Sequence, residues 1–559
     1  MTELIPEPAA APPPATQLDA IVVGGGLGGL YTLHRLRAMG LRVRVYEAGS
    51  GVGGTWFWNR YPGCRCDVES MEYSYSFSNE LQQDWKWPER YGTQPEILRY
   101  VNHVAERFDL MRDVQLNTRV RTAVFDSKTN RWTVTTEQGE VISAPYCVMA
   151  TGNLSTPRMP DYKGLGDFKG KVYHTGQWPK EGVDFSGLRV AAIGTGSSGI
   201  QAIPHIARQA KHLHVFQRTA NFSLPARNAP LDPEKESRHK AEYPQRRRAA
   251  WDTPFGISGY PPPEKSALDA TPEERQEIYE AKWQEGGSIS FLYAFTDLLT
   301  SKEANETAAE FVRQKIRAIV RDPAVAEVLA PKSHPIGTKR LCLDTNYYET
   351  FNRENVTLVD ARRTPIEEIT ATGLRTSAAE YEFDALVFAT GFDAMTGALM
   401  EIDVKNGGGA SLKEAWSSGP RTYLGLMVAG FPNLFLITGP QSPGVKTQMI
   451  LSIEQHVDWI AECLAHLGSR GLSRIEADPV AQQAWVEHVN EVASKTLYPL
   501  ANSWYMGANI PGKPRVFMPY VGGVPAYTRK VNEAVKNGYA GFVLGRDGER
   551  AASARFKDF

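Results

Sequence analysis

Two glycine-rich turns, each preceded by a short apolar strand and followed by a helical apolar repeat, predict an α/β chain built on two βαβ units. A long segment after the second turn shows no strand patterning and predicts a helical insertion. The 559 residues leave room for three or four domains. At 42% hydrophobic and 22% charged, the composition suits a packed globular core. Lys plus Arg number 62 against 63 Asp plus Glu, which excludes the basic excess of a nucleic-acid-binding chain. The five cysteines are odd in number. Only Cys64 and Cys66 are close, at a spacing that suits neither a redox pair nor a zinc motif, so no metal is expected.

Residues 1–17, mostly Ala and Pro, lack the basic start and apolar run of a targeting signal and read as a disordered tail. The longest uncharged stretch, 422–445, is broken by Pro432, Pro440 and Pro443, so buried strands with turns explain it better than a membrane span. The expectation is a cytoplasmic chain with neither membrane nor nucleic-acid partners.

The first unit opens at residue 19 with DAIVVGGGLGG. Gly24, Gly26 and Gly29 fit G-x-G-x-x-G, with Gly28 in the same cluster; Leu30, Leu33 and Leu36 then mark a helix. In this motif the first glycine permits the turn, the second lets backbone approach a pyrophosphate, and the third lets helix and strand pack closely. The phosphates sit on the helix N-terminus. A second strand, LRVRVYEA, ends near Glu47, placed for a ribose hydroxyl. The following GVGGTWFWNRYPG, with Gly54, Thr55 and Trp56, is glycine-rich and aromatic, as a flavin site requires, so this unit is assigned to FAD.

The second unit reads LRVAAIGTGSSG from residue 188. Gly194, Gly196 and Gly199 repeat the motif, with Thr195, Ser197 and Ser198 in the turn and Ile200, Ile203 and Ile206 in the helix. Where the first unit has Glu47, this one has Arg218 followed by Thr219. An acid there repels a 2′-phosphate and an arginine binds one, so NADPH is expected rather than NADH. Two apolar strands close in Ala-Thr-Gly, at 150–152 and 389–391, as crossing points between the two units.

Between these landmarks, VRTAVFD, RWTVTTE and EVISA form a small β-meander. Thr271-Pro272-Glu273-Glu274 is a helix start, and a further helix is expected over 302–320, stopping near Asp322-Pro323. The run Arg246-Arg247-Arg248 reads as a solvated face. The division that follows is a tail at 1–17, an FAD domain from 18–152 and 390–559, an NADP domain from 153–222 and 332–389, and a helical insertion at 223–331.

Residues 168–179, FKGKVYHTGQWP, narrow the chemistry. Phe168, Gly170, His174, Trp178 and Pro179 fit F-x-G-x-x-x-H-x-x-x-W-P, and the chain thereby resembles the type I Baeyer–Villiger monooxygenases, class B flavoprotein monooxygenases. RYPGCRCDVES, GTKRLCLD, YYETFNRENV, ATGFDAMTGAL and LYPLANSWYMGANIPGKPR extend the resemblance over nearly all of 18–545. Within the family it is similar to the branch holding phenylacetone and steroid monooxygenases.

The resemblance implies oxidation of ketones to esters or lactones with NADPH and O2 through a C4a-peroxyflavin, and sulfoxidation of thioethers as a side activity. It implies that Arg340 is the catalytic arginine and that Asp67 orients it beside the flavin. Lys339 would join Arg218 and Thr219 on the NADP phosphate, with Arg65 on the NADP side. Thr55, Trp56, Tyr73 and Met449 would line FAD, and Trp504 would flank nicotinamide and substrate. A permanently charged guanidinium suits a reaction that develops an oxyanion.

Simpler roles also fit: Arg340 as a surface charge, Asp67 as the cap of a helix starting at Val68, Trp504 and Met449 as packing. His174, between domains, suits gating rather than proton transfer. In GPQSPGVKTQM, Gly444, Val445 and Lys446 depart from the apolar segment of phenylacetone-type enzymes, leaving aryl, cyclic and bulky polycyclic or steroidal ketones all open. The competing functions are an N- or S-oxygenating flavin monooxygenase, a disulfide reductase, and a non-enzymatic dinucleotide-binding regulator. One chain suffices for both cofactor sites, so a monomer is expected.

Overall fold

The computed structural model describes residues 16–546 and 552–553. Two five-stranded sheets, parallel throughout, carry the architecture. In the first, the strands run Leu434–Leu436, Tyr146–Met149, Ala20–Val23, Val43–Tyr46, Val114–Gln115. The second runs Lys171–His174, Ala385–Phe388, Arg189–Ile193, His212–Gln217, Val356–Asp360. The order is the same in both: the strand that enters the glycine turn is central, with the Ala-Thr-Gly strand on one side and the next βαβ strand on the other. The carboxyl ends of these strands are where an open parallel sheet takes its ligand.

Each glycine turn opens a helix, Leu27–Ala38 or Ser197–Gln209. Leu30, Leu33 and Leu36 are buried in one and Ile200, Ile203 and Ile206 in the other, the stripe that the helical period places against a sheet. Helix Met449–Ser469 crosses Leu27–Ala38, pinned by Asp458, which accepts from Tyr31 Oη at 2.9 Å and Arg35 Nε at 2.7 Å.

Each unit also carries a β-meander before its Ala-Thr-Gly strand. Val120–Asp126, Arg131–Thr136 and Val141–Ala144 form the expected one, widened by Asp403–Lys405 and Thr16–Gln17. The strand at Thr16–Gln17, parallel to Val141–Ala144, corrects the reading of 1–17 as a tail; the rest of that segment lies outside the described residues. Ile366–Thr370, Gly373–Thr376 and Glu380–Glu382 make the second meander.

Residues 223–331 hold five helices between Pro233 and Leu329, preceded by Ser223–Pro225, a strand that pairs with Cys342–Asp344. Thr271 and Glu274 form a reciprocal capping box. The 302–320 helix spans Lys302–Ile319, but Asp322 is a beginning rather than an end: its carboxylate caps the next helix, Pro323–Leu329. Of the three arginines at 246–248, Arg247 turns inward instead of facing solvent. It donates to Glu72 O, Ser74 Oγ and Gln82 Oε1, holding helix Pro233–Trp251 against the first unit.

No described helix is long and apolar enough to cross a membrane. The uncharged stretch 422–445 contains one strand, Leu434–Leu436, between turns. All five cysteines are free and buried.

Candidate active site

The first glycine turn is tightly packed against its neighbours. A Cβ at Gly24 would lie 2.4 Å from Ala150 O, and one at Gly29 would lie 1.8 Å from Gly24 O. Gly26 faces a second glycine turn, where its Cβ would come within 3.3 Å of Gly54 Cα. The Glu47 carboxylate, buried, accepts from Gly25 N and Gly49 N, both at 2.6 Å, and so ties the two glycine segments together. Burial raises its pKa and the two amides oppose that shift.

The resulting cleft holds about 1220 Å³ of empty space, with Gly24, Gly26, Gly28, Glu47, Gly54, Thr55, Trp56, Tyr73 and Met449 in its wall. Trp56 Nε1 donates to Tyr73 Oη at 3.2 Å across it. Arg119, Arg121, Asn153 and Thr438 line it too. Nothing in their local sequence signals this: the arginines come from the start of the meander, Asn153 follows the first Ala-Thr-Gly, and Thr438 follows strand Leu434–Leu436.

The second turn repeats the tight contacts and lacks the lid. A Cβ at Gly194 would meet Ala389 O at 2.5 Å and one at Gly199 would meet Gly194 O at 2.2 Å, but at Gly196 no heavy atom lies within 4 Å. Arg218 is exposed. Among the described residues neither its guanidinium nor the Lys339 ammonium makes an ion pair or hydrogen bond, although the two are close enough that Arg218, after burial, lowers the Lys339 pKa. Adjacent cations without an anion form a site for a dianion.

Thr195 Oγ1 donates to Thr219 O at 3.2 Å, Ser197 Oγ lies 3.0 Å from Cys342 Sγ, and Ser198 sits beside the Tyr61 hydroxyl. Arg65 Nη1 donates to Glu89 Oε2 at 2.8 Å, while its carbonyl accepts from Gln201 Nε2 of the second unit's helix at 3.1 Å. Its backbone thus bridges the units while its charge is engaged by Glu89.

Arg340, just before strand Cys342–Asp344, meets Asp67. Arg340 Nε donates to Asp67 Oδ2 at 2.7 Å. The carboxylate side chain is 10% exposed and the arginine 41%, so Asp67 anchors a guanidinium whose far end is accessible. Asp67 raises the Arg340 pKa further, keeping it charged at any working pH. Asp67 Oδ1 is buried without a partner, and among the described residues nothing else accepts from the Arg340 guanidinium. No helix begins at Val68, which removes the capping role for Asp67.

Trp504 lies in the 3₁₀ turn Trp504–Met506, its ring centroid 4.2 Å from that of Tyr505, whose phenol lies within the Arg340 field. This segment is tied to the second crossing point: Asn509 Nδ2 donates to Phe392 O at 2.8 Å and Lys513 Nζ to Asp393 Oδ1 at 2.5 Å. His174 accepts from Gly176 N through Nδ1 at 3.0 Å and has Nε2 3.3 Å from Thr390 Oγ1. Burial lowers its pKa, so it is a neutral bracket on the Ala-Thr-Gly segment and does not contact Arg340 or Asp67.

The family profile of the pyridine nucleotide-disulphide oxidoreductases matches residues 21–245. A Baeyer–Villiger monooxygenase of Pseudooceanicola batsensis is 44% identical over 535 residues, covering 95% of this chain and 97% of its own. The chain belongs to the Baeyer–Villiger monooxygenase family. An oxidized steroid monooxygenase bound to NADP superposes with a TM-score of 0.91 at 52% identity, over 95% of this chain and all of that one. OTEMO in complex with FAD and NADP gives 0.91 at 40% identity, over 95% and 100%.

This monooxygenase is an FAD-dependent, NADP-using enzyme, and the surroundings of its two glycine turns fit those cofactors. A side chain at Gly26 would fill the space a pyrophosphate needs, and the unpaired Arg218 and Lys339 offer the donors for a 2′-phosphate. The relatives named are monooxygenases, and the five cysteines are all buried, an arrangement ill suited to the redox pair of a disulfide reductase.

Proposed function

We propose that this Baeyer–Villiger monooxygenase converts aryl, cyclic or bulky polycyclic ketones to esters or lactones, with Arg340 as the catalytic residue and Asp67 as the group that positions it. The observation that carries the reading is the Arg340–Asp67 pair, buried at its acidic end and open at its basic end. Bound FAD and NADPH supply the electrons that activate dioxygen. Gly24, Gly26, Gly29, Glu47 and the Thr55–Trp56 turn hold FAD; Gly194, Gly196, Gly199, Thr195, Ser197 and Ser198 receive the NADP phosphates, and Arg218, Thr219 and Lys339 select the 2′-phosphate. Trp504, on a segment tied to the crossing point, closes the substrate side and excludes water.

Arg340 stabilises the negative charge that develops on the ketone oxygen. The Asp67 bond fixes its rotamer beforehand, so no reorganisation is needed during reaction. The sheet composition supports an FAD domain from 18–152 and 390–559, an NADP domain from 153–222 and 332–389, and an insertion at 223–331. The steroid monooxygenase likeness favours a pocket for bulky ketones, with thioether sulfoxidation as a side activity. Five reduced thiols and two clefts built from one chain support a cytoplasmic monomer.

Arg340→Ala tests this. Ester formation, followed by mass spectrometry with aryl, cyclic and steroidal ketones, should fall by at least about 100-fold, the scale of losing one oxyanion-stabilising donor. Bleaching of the flavin by NADPH should survive. Normal ester yield from the variant would remove Arg340 from the chemistry.

A further inference from the structure

Lys446 lies in the short 3₁₀ turn Gly444–Lys446, just before helix Met449–Ser469. Its ammonium rests over two tyrosine rings, 4.3 Å from the centroid of Tyr498 and 4.6 Å from that of Tyr505. Both rings are buried. The Tyr505 ring lies tilted against Trp504, and Val445 packs in the same cluster, so the ammonium sits on the wall shared with the proposed substrate side.

An aromatic box attracts a cation but accepts none of its three N–H bonds in the ordinary way. Among the described residues Lys446 Nζ has no ion pair and no hydrogen bond. A half-buried ammonium with no such partner is placed to take an anion. Burial and then the Arg340 guanidinium lower the Lys446 pKa to about 7. Arg340 and Lys446 therefore share one region, and the carboxylate bonded there, Asp67, is already taken by Arg340.

The NADP phosphate does not account for this charge. The charged neighbour of Lys339 is Arg218, whereas the charged neighbour that Lys446 feels is Arg340.

We propose that Lys446 is a specificity-determining residue that binds a carboxylate carried by the substrate, so that the preferred ketones are keto acids. The inference rests on the Baeyer–Villiger reading above and names the substrate class of that site. Arg340 addresses the ketone oxygen, Lys446 receives the carboxylate, and the tyrosine box holds the ammonium between them without competing for its protons.

The test uses FAD-loaded full-length enzyme with NADPH and O2. Its substrates are 5-oxohexanoate, 7-oxooctanoate and 4-acetylbenzoate, each beside its neutral primary amide. In the unmodified enzyme at least one acid should exceed its amide in kcat/KM by about tenfold or more, the scale of one charge-assisted contact. In Lys446→Met the acid-to-amide ratio should fall at least about tenfold, and in Lys446→Arg it should be largely kept. Calorimetric binding of the preferred acid to the NADP⁺-loaded enzyme should weaken in parallel, a readout independent of turnover.

Equal kcat/KM for acids and amides in the unmodified enzyme would overturn the proposal, even if Lys446→Met failed to fold. So would a Lys446→Met variant that raises the NADPH KM and leaves the ratio untouched. Absence of an oxygenated product from every ketone would instead defeat the underlying reading, while esters formed without acid preference would defeat Lys446 alone.

Discussion

The two nucleotide-binding units have the same strand order, the same three glycines and the same pair of impossible Cβ positions, yet they differ in what covers the turn. At the first, Gly26 is roofed by Gly54, and Glu47 is clamped by two amides that come from separate glycine segments. At the second, Gly196 faces open space and Arg218 is exposed. The fingerprint specifies only the turn. What lies over the second glycine comes from elsewhere in the chain.

The sharpest way to break this comparison is to add one methyl group at each second glycine. In Gly26→Ala the new Cβ meets Gly54 Cα at 3.3 Å, and backbone cannot yield as a side-chain tip can. FAD retained after desalting, read from the visible flavin absorbance, should drop by about tenfold or more. Gly196→Ala should keep its flavin and raise the NADPH KM only several-fold. Equal flavin loss in both variants would show that the roof is irrelevant.

A smaller effect is expected at the acid-for-base exchange between the units. Arg218→Ala removes a charged donor worth about 1.5–3 kcal/mol in such contacts, so the NADPH KM should rise about 10- to 100-fold and discrimination against NADH should shrink. Unaltered steady-state discrimination would assign the 2′-phosphate to Lys339 alone.

The smallest effect lies behind the first turn. Glu454, on the helix that crosses Leu27–Ala38, accepts from Ser76 N, Ser76 Oγ and Phe77 N, and burial raises its pKa to about 7. Its folded pKa exceeds the unfolded one, so the folded state holds a proton that the unfolded chain has released between roughly pH 4.3 and 7. That contribution is full at low pH and is lost as pH rises through 7. Glu454→Gln, neutral throughout, should melt a few degrees above the parent at pH 8, with the gap closing at pH 5. A gap independent of pH would assign the effect to packing.

Much of this architecture is legible in the sequence because βαβ units are local: strand, turn and helix follow one another within about 30 residues. Leu30, Leu33, Leu36 and their counterparts Ile200, Ile203, Ile206 announce their helices directly. The second meander, at 366–382, is short and mostly polar, and gives no comparable signal. Thr16–Gln17 is a strand only because Val141–Ala144 offers it an edge. Arg247 turns inward because Glu72, Ser74 and Gln82 await it from 160 to 180 residues away, a distance that no run of charges reveals.

The candidate site divides along the same line. Gly24, Gly26 and Glu47 are readable from spacing, whereas Arg340 and Asp67 lie 273 positions apart and are joined only through the family resemblance. The aromatic box of Lys446 comes from Tyr498 and Tyr505, some fifty residues downstream, and had no sequence signal beyond the oddity of a lysine in an apolar segment.

Enzymes that pass electrons to dioxygen release hydrogen peroxide whenever a turnover miscarries, and they meet that oxidant at its highest concentration. Its usual target in proteins is the thiolate rather than the thiol. Burial pushes the thiols of Cys64, Cys66, Cys147 and Cys342 up to about 12, and Cys463 higher still. Cys342 is the telling case. It sits beside Arg340, where a cation would ordinarily draw a thiolate out, yet desolvation outweighs the guanidinium and the sulfur stays protonated. The same dry packing that closes the site around its chemistry thus shields the protein from its own by-product.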